Sequence, residues 1–158
     1  MGSISIGNQQ LDQLLGGGIE QEKSTILVGK PGCGKTALAL QFITDSNIND
    51  SGAYICIDKT PERLMKKATT LYPSSTNSIA NNMLKFVEIS LHDWGPHKPL
   101  NELIIQIDRQ IDALFQNLQV SRLVIDSLLP HALHSLPIHQ KLTFIHSFLS
   151  IIQRYQTT

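Results

Sequence analysis

The segment Gly29–Thr36 constrains the fold of this chain more than any other. It reads GKPGCGKT and matches G-x-x-x-x-G-K-[ST], the pattern of loops that bind phosphate groups. Its glycines allow successive backbone amides to point inward at a phosphate, and a helix beginning near Lys35 would add the positive end of its dipole. The apolar run Thr25–Val28 before it and the mostly apolar stretch Lys35–Thr44 after it predict a strand, a loop and a helix in that order.

Most of the residues expected to bind a phosphate ligand belong to this loop. They are Gly29, Lys30, Pro31, Gly32, Cys33, Gly34, Lys35, Thr36 and Ala37. The ammonium of Lys35 is expected to reach the β and γ phosphates of a nucleotide such as ATP, which also makes it a candidate catalytic residue. The hydroxyl of Thr36 is expected to ligate Mg²⁺. The alternative interpretation is a glycine-rich turn that binds no ligand.

A second candidate metal ligand, Asp126, ends the apolar run Arg122–Asp126. A carboxylate at the end of a strand downstream of a phosphate-binding loop can hold the hydration shell of Mg²⁺ opposite Thr36. The alternative role is an N-cap for a following helix, because Asp caps helices well. The metal role is favoured, since a phosphate-binding loop predicts such a strand.

The residue that would activate water is less obvious. Ser127 follows Asp126, whereas in ATPases whose metal-binding strand ends Asp-Glu the Glu positions the attacking water. Asp58 ends the apolar run Ala53–Ile57, and a carboxylate at a neighbouring strand end could reach the γ-phosphate side. Asp58 is therefore the candidate catalytic acid, and its alternative role is to flank a helix that Thr60 caps.

Strand-like and helix-like segments alternate along the chain. Residues 53–57 and 122–126 are predicted as buried strands, 84–89 as an edge strand, and 61–70, 100–115 and 141–155 as helices. A short helix through Leu15 should end at Gly16, and residues 73–82 are predicted to form a loop. This alternation implies an α/β fold, with a mostly parallel sheet flanked by helices and joined by right-handed crossovers. The length predicts one domain over residues 1–158.

The composition shows no strong charge bias. With 13 Lys plus Arg and 13 Asp plus Glu, the formal net charge is zero, which argues against a histone-like protein that wraps a polyanion. Two cysteines, Cys33 and Cys56, are too few for a disulfide scaffold. The N-terminus lacks a secretory signal pattern, and no apolar run approaches the ~18 residues of a membrane span. A cytoplasmic protein that binds neither membranes nor nucleic acid is therefore expected.

Three segments, in order, resemble the KaiC-like domains of the RecA/RadA P-loop ATPases. Residues 7–42 resemble the opening of such a domain, with a Gly, Leu11-Asp12 and a Leu-Leu-Gly-Gly-Gly-Ile run before the phosphate loop. Residues 53–68 resemble the second strand and following helix, and residues 121–128 resemble the metal-binding strand. The resemblance implies a RecA-like P-loop fold that binds ATP and Mg²⁺, hydrolyses ATP and acts within an oligomer.

One departure from the family concerns turnover. Where the family has two adjacent acidic residues, this chain has Asp58-Lys59. Two functions therefore stay open: a slow Mg-dependent ATPase acting in an oligomer, or a nucleotide-binding regulatory or scaffold protein without turnover. A small-molecule kinase is disfavoured because Arg154 is the only Arg after Asp126 to serve a lid. A DNA recombinase is disfavoured because the chain lacks a basic stripe.

Another departure concerns length. The resemblance implies further strands after the metal-binding strand, the next inserted between it and the P-loop strand, and up to Thr158 the chain has no counterpart of them. The expected fold is thus truncated at the C-terminus relative to the family. An open position in the sheet predicts a homo-oligomer or a partner protein that completes the fold. It also predicts that Phe144, Phe148 and Ile151 are partly exposed to solvent.

Overall fold

The computed structural model describes residues 2–45, 51–57, 59–89, 91, 98–116, 120–127, 133–155 and 157–158. The elements, in chain order, are β1 Ser3–Ile4, α1 Gln9–Leu14, β2 Ile19–Glu20, α2 Lys35–Thr44, β3 Gly52–Ile57, α3 Pro61–Leu71, α4 Ser75–Ala80, β4 Leu84–Ile89, α5 Leu100–Gln116, β5 Arg122–Asp126 and α6 Ile138–Gln153. In this part of the chain, no helix is both long enough and apolar enough to cross a membrane.

A three-stranded parallel sheet lies at the centre, with strand order β4-β3-β5. Strand β3 is the middle strand, and because both of its faces are covered every residue in it is buried, which suits its uninterrupted apolar run Ala53–Ile57. Tyr54 lies opposite Phe86 of β4 and Val124 of β5 in the register of the sheet. The prediction of an α/β fold with a parallel sheet is confirmed, and β4 is the edge strand that the sequence predicts.

Side chains of β3 alternate between two hydrophobic cores. Ile55 and Ile57 point to one face of the sheet, where they pack in a core with residues of α5 and α6. Tyr54 and Cys56 point to the opposite face and pack in a core with residues of α2 and α3. This alternation follows from the two-residue period of a β-strand. It also places the phosphate-loop helix, α2, on the same side as Tyr54 and Cys56.

The C-terminal helix α6 corrects one prediction. The prediction that three of its residues are partly exposed to solvent is wrong, since Phe144, Phe148 and Ile151 are only 0%, 1% and 7% exposed. These residues form the face of α6 that packs into the core shared with α5, whereas Leu142 is 51% exposed. The core that covers the phenylalanine face is shared with one face of the sheet, with α5 and with Leu133, which precedes α6. The helix also begins earlier than expected, at Ile138 after Pro137.

The segment before the phosphate-binding loop corrects a second prediction. Residues 25–28 form no strand, and Ile26, Leu27 and Val28 are 58%, 48% and 85% exposed. An apolar run becomes a strand only when a neighbour supplies ladder hydrogen bonds. Among the described residues, no strand pairs with residues 25–28, and the outer edge of β5 is paired only at Thr158.

Two smaller features of the fold also differ from the sequence prediction. Residues 73–82, predicted as a loop, contain the short helix α4. Strands β1 and β2, which the sequence analysis misses, form a two-residue antiparallel pair. Their close approach requires glycine at position 18, because a Cβ there would lie 2.2 Å from the carbonyl oxygen of Ile4. This pair holds the start of the segment that leads into the phosphate-binding loop.

The first residue of β5 is a buried arginine that contacts three residues, Ser5 near the N-terminus and Phe42 and Asp45 at the end of α2. Arg122 is 2% exposed, and its Nη1 donates to the carbonyl oxygens of Ser5 (3.1 Å) and Phe42 (2.6 Å). Its guanidinium lies over the Phe42 ring, 4.8 Å from the ring centroid, and its Nη2 is 3.9 Å from Oδ2 of Asp45. Arg122 therefore joins the start of β5 to the end of α2.

Candidate functional site

The loop Gly29–Thr36 leads directly into helix α2, as the sequence predicts. Gly34 is the N-cap of α2 with φ +94°, and Gly32 has φ +80°, conformations that residues with a side chain rarely adopt. Gly29 is also restricted, since a Cβ there would lie 2.6 Å from Sγ of Cys33. The three glycines therefore allow a tight turn whose end exposes the amides of the first turn of α2.

The side chain of Lys35 is turned back onto the loop that precedes it. Its Nζ donates to the carbonyl oxygens of Gly29 (2.7 Å) and Lys30 (2.9 Å) and lies 3.8 Å from Sγ of Cys33. All three contacts are exposed to solvent. The ammonium is thus held at the loop itself, among residues predicted to surround a phosphate.

Three elements converge on the carboxylate of Asp126. From the start of α2, Thr36 Oγ1 donates to Oδ2 across 3.1 Å. From β3, the hydroxyl of Tyr54 donates to the same oxygen across 2.9 Å. From the turn before α3, Nζ of Lys59 lies 2.6 Å from Oδ1. The structure therefore brings together Thr36 and Asp126, which are 90 residues apart in sequence.

The carboxylate stays ionised because of these partners. Burial opposes its negative charge, but the hydrogen bond and the charge of Lys59, followed by the hydrogen bonds from Tyr54 and Thr36, outweigh that effect and lower the pKa of Asp126. On the other side, burial and the nearby Asp126 raise the pKa of the Tyr54 hydroxyl. Burial and Asp126 also raise the pKa of the Cys56 thiol to about 12. The site thus holds one anionic carboxylate beside a neutral phenol and a neutral thiol.

The chemistry of this donor set suits a hard divalent cation. Mg²⁺ prefers oxygen ligands and is usually bound through one or two carboxylates together with phosphate oxygens. The hydroxyl of Thr36 and the carboxylate of Asp126 supply such oxygens on the loop side of the sheet. Asp126 is 18% exposed by side chain, so the carboxylate is shielded but still accessible.

Some site residues lie outside the sequence prediction, and one predicted residue lies outside the described structure. The candidate catalytic residue Asp58 is among the residues that the structure does not describe. Tyr54 and Lys59 contact Asp126 although neither is a predicted site residue. The structure supplies the strand register that relates Tyr54 to Asp126: Cys56 lies opposite Asp126, and Tyr54 precedes Cys56 by two residues on the same face.

Comparison with known proteins identifies the family. The family model described as the KaiC ATPase matches residues 4–158. The DNA repair and recombination protein RadB of Methanosphaera stadtmanae is 31% identical over 121 residues, which cover 77% of this chain and 48% of RadB. The circadian clock oscillator protein KaiC of Prochlorococcus marinus is 24% identical over 127 residues, 79% of this chain and 25% of that protein.

These matches cover most of this chain but only part of each relative. The chain spans about half the length of RadB and a quarter of that of KaiC. The family match includes the phosphate-binding loop, β3 and β5, which are the three segments that carry the resemblance in the sequence. The resemblance to KaiC-like domains is therefore confirmed, and with it a RecA-like fold. The chain belongs to the KaiC family of ATPase domains, in the RecA superfamily of P-loop ATPases.

Proposed function

We propose that this chain binds ATP together with Mg²⁺ and hydrolyses ATP slowly as part of an assembly. The observation that carries the proposal is the 3.1 Å contact between Thr36 Oγ1 and Asp126 Oδ2. It joins the phosphate-binding loop to the end of β5, the arrangement that a Mg²⁺-nucleotide site requires. Thr36 and Asp126 are the residues that would hold the ion. When bound, Mg²⁺ supplies positive charge to the phosphate oxygens.

The phosphates themselves would be bound by the loop and the start of α2. The backbone amides of Gly29–Thr36 and of Ala37 are donors that the tight turn and the helix N-terminus leave available. The ammonium of Lys35 would exchange its two carbonyl partners for phosphate oxygens, because a charge-assisted hydrogen bond to an anion is stronger than one to a neutral carbonyl. Lys35 thereby contributes both to binding and to charge stabilisation during phosphoryl transfer.

The alternative function is a nucleotide-binding regulatory or scaffold protein without turnover. The observation in its favour is Lys59, whose Nζ lies 2.6 Å from Asp126 Oδ1 and which replaces the second acidic residue that the resemblance to KaiC-like domains implies. Asp58 is then the one carboxylate proposed to position the attacking water. With a single acid in that role, we expect hydrolysis to be slow, and measurement of turnover separates the two functions.

The assembly is proposed from the exposed apolar segment beside the sheet. Ile26, Leu27 and Val28 are largely exposed, and the outer edge of β5 pairs only with Thr158 among the described residues. Such an edge and such a segment are covered in a homo-oligomer or by a partner protein that completes the fold. The proposed location is the cytoplasm. A role on DNA, as in the name of RadB, is not proposed, because the chain has zero net charge and no basic excess.

Thermal unfolding with and without Mg²⁺-ATP tests the binding proposal. A ligand that binds the folded state raises the melting temperature, so ATP should stabilise the wild type. Lys35→Ala should abolish this shift, whereas Lys67→Ala, which removes an exposed lysine from α3, should leave it intact. An equal shift in the Lys35 variant would show that the loop is not the nucleotide site. Phosphate release, measured on the wild type, then distinguishes the ATPase from the regulator.

A further inference from the structure

The ammonium of Lys59 pairs with the same carboxylate, that of Asp126, that would bind a metal ion. Its Nζ lies 2.6 Å from Oδ1, while Oδ2 already accepts hydrogen bonds from Thr36 and Tyr54. Both oxygens of the carboxylate are therefore engaged, and its charge is balanced by a cation of the chain itself. The Lys59 side chain is 44% exposed, so its ammonium can leave Asp126 and return to water.

An ammonium ion and Mg²⁺ at one carboxylate oppose each other. Each is attracted by the same negative charge, and each repels the other across a few ångströms. The effect is reciprocal: if the ion pair weakens metal binding, metal binding weakens the ion pair by the same factor.

We propose that Lys59 is a built-in competitor of Mg²⁺ at Asp126 and sets how strongly nucleotide binding depends on Mg²⁺. This inference rests on the proposed nucleotide site. It assigns Lys59 a role in the choice between metal-bound and metal-free nucleotide, rather than in the reacting groups. The relevant quantity is the Mg²⁺ ratio, defined as the Kd for ATP in EDTA divided by the Kd for ATP in saturating Mg²⁺. A competitor at Asp126 keeps this ratio low.

Calorimetric titration of ATP in the two buffers tests the proposal. Lys59→Gln removes the charge, and Lys59→Arg keeps a cation that can pair with a carboxylate. Lys66→Gln makes the same charge change at an exposed position of α3 and serves as the control. We expect Lys59→Gln to raise the Mg²⁺ ratio about fivefold, the scale of one partly shielded ion pair. The Lys59→Arg and Lys66→Gln variants should keep the wild-type ratio.

A second background shows whether the effect acts through Asp126. In the Asp126→Asn variant, Lys59 no longer has a carboxylate to pair with. Adding Lys59→Gln to this variant should therefore leave the Mg²⁺ ratio unchanged, and a double-mutant cycle measures this. An unchanged ratio in Lys59→Gln, with ATP still bound, would overturn the inference and leave the nucleotide site standing. A wild type that binds ATP in neither buffer would overturn the proposed function and this inference with it. Lys59→Ala provides a second neutral variant should Lys59→Gln fail to fold.

Discussion

The amide of Leu123 donates to the carbonyl oxygen of Thr158 across 2.7 Å, and the amide of Thr158 donates to Ser121 across 3.0 Å. These two bonds have the pattern of a parallel ladder in which Thr158 lies opposite Arg122. The hydroxyl of Thr158 also accepts a hydrogen bond from the amide of Glu22 across 2.8 Å. Thr158 therefore lies between β5 and the segment that enters the phosphate-binding loop, at the start of a position in which a strand would fit.

This arrangement predicts that the isolated 158-residue chain associates with itself or with a partner. Sedimentation should show mass increasing with concentration, because exposed apolar residues and an open strand edge favour pairing. Hydrogen exchange should be fast at residues 25–28 and slow in β3, whose six residues are buried. A monodisperse monomer with strongly protected amides in both 25–28 and 123–125 would contradict this prediction and favour direct pairing of the two segments.

The packing of α6 predicts a large difference between two substitutions on the same helix. Phe148 is 1% exposed, and Phe148→Ala should lower the free energy of unfolding by about 3–5 kcal/mol through lost burial and a cavity. Leu142 is 51% exposed, and Leu142→Ala should change it by about 0.5 kcal/mol or less. Urea unfolding of both variants measures the difference. Equal effects would mean that the leucine face of α6 is covered as well.

Asp126→Asn should separate the metal-dependent part of nucleotide binding from the rest. The amide retains the shape of the side chain but loses the charge that would hold Mg²⁺. ATP should then stabilise the variant equally in Mg²⁺ and in EDTA, and turnover should be lost. Thermal unfolding in the two buffers gives this comparison. A variant that keeps the full Mg²⁺ effect would remove Asp126 from the metal site.

Asp58→Asn should reduce turnover without weakening ATP binding. If Asp58 positions the attacking water, the variant should keep the Kd for ATP and lose turnover by roughly 10²-fold or more. Introducing glutamate at both positions, Asp58→Glu with Lys59→Glu, should raise the rate if the missing acid limits hydrolysis. Single-turnover phosphate release measures each rate. If none of these changes affects turnover, Asp58 only flanks helix α3.

The two cysteines should differ in reactivity. The thiolate is the reactive form, and burial together with Asp126 raises the pKa of Cys56 to about 12. At pH 8 iodoacetamide should therefore modify Cys33, which is exposed, and leave Cys56 unmodified until the chain is unfolded in urea. Bound Mg²⁺-ATP should slow modification of Cys33, since the ligand would cover the loop. Mass spectrometry identifies the modified residue, and rapid labelling of Cys56 in the folded chain would contradict its buried position.

The sequence predicts the fold well wherever the pattern is local. The apolar run of β3, the stripe on α5 and the glycine at the start of α2 each carry their own signal, and the structure has the corresponding elements. Residues 25–28 have the same apolar signal but form no strand, because pairing depends on a neighbour that the run itself does not specify. The burial of Phe144 is missed for a related reason, since it depends on how α5 and α6 meet.

In the candidate site, too, some residues follow from the sequence and some contacts do not. The loop and Asp126 follow from sequence motifs, and the structure places Thr36 beside Asp126. The contact of Lys59 with Asp126 does not follow from the sequence. A lysine in place of an expected acidic residue indicates a lost negative charge, but it does not indicate which group the ammonium contacts. The hydrogen bond from Tyr54 depends on strand register, which the sequence alone leaves open.

Helix α2 and strand β5 run antiparallel and are hydrogen-bonded to each other at both ends. Thr36, near the start of α2, bonds to Asp126 at the end of β5, and Phe42, near the end of α2, accepts a hydrogen bond from Arg122 at the start of β5. Sliding α2 along β5 therefore requires breaking at least one of these two hydrogen bonds. Arg122 also donates to the carbonyl oxygen of Ser5, so the same arginine attaches the segment before α1 to this pair of elements.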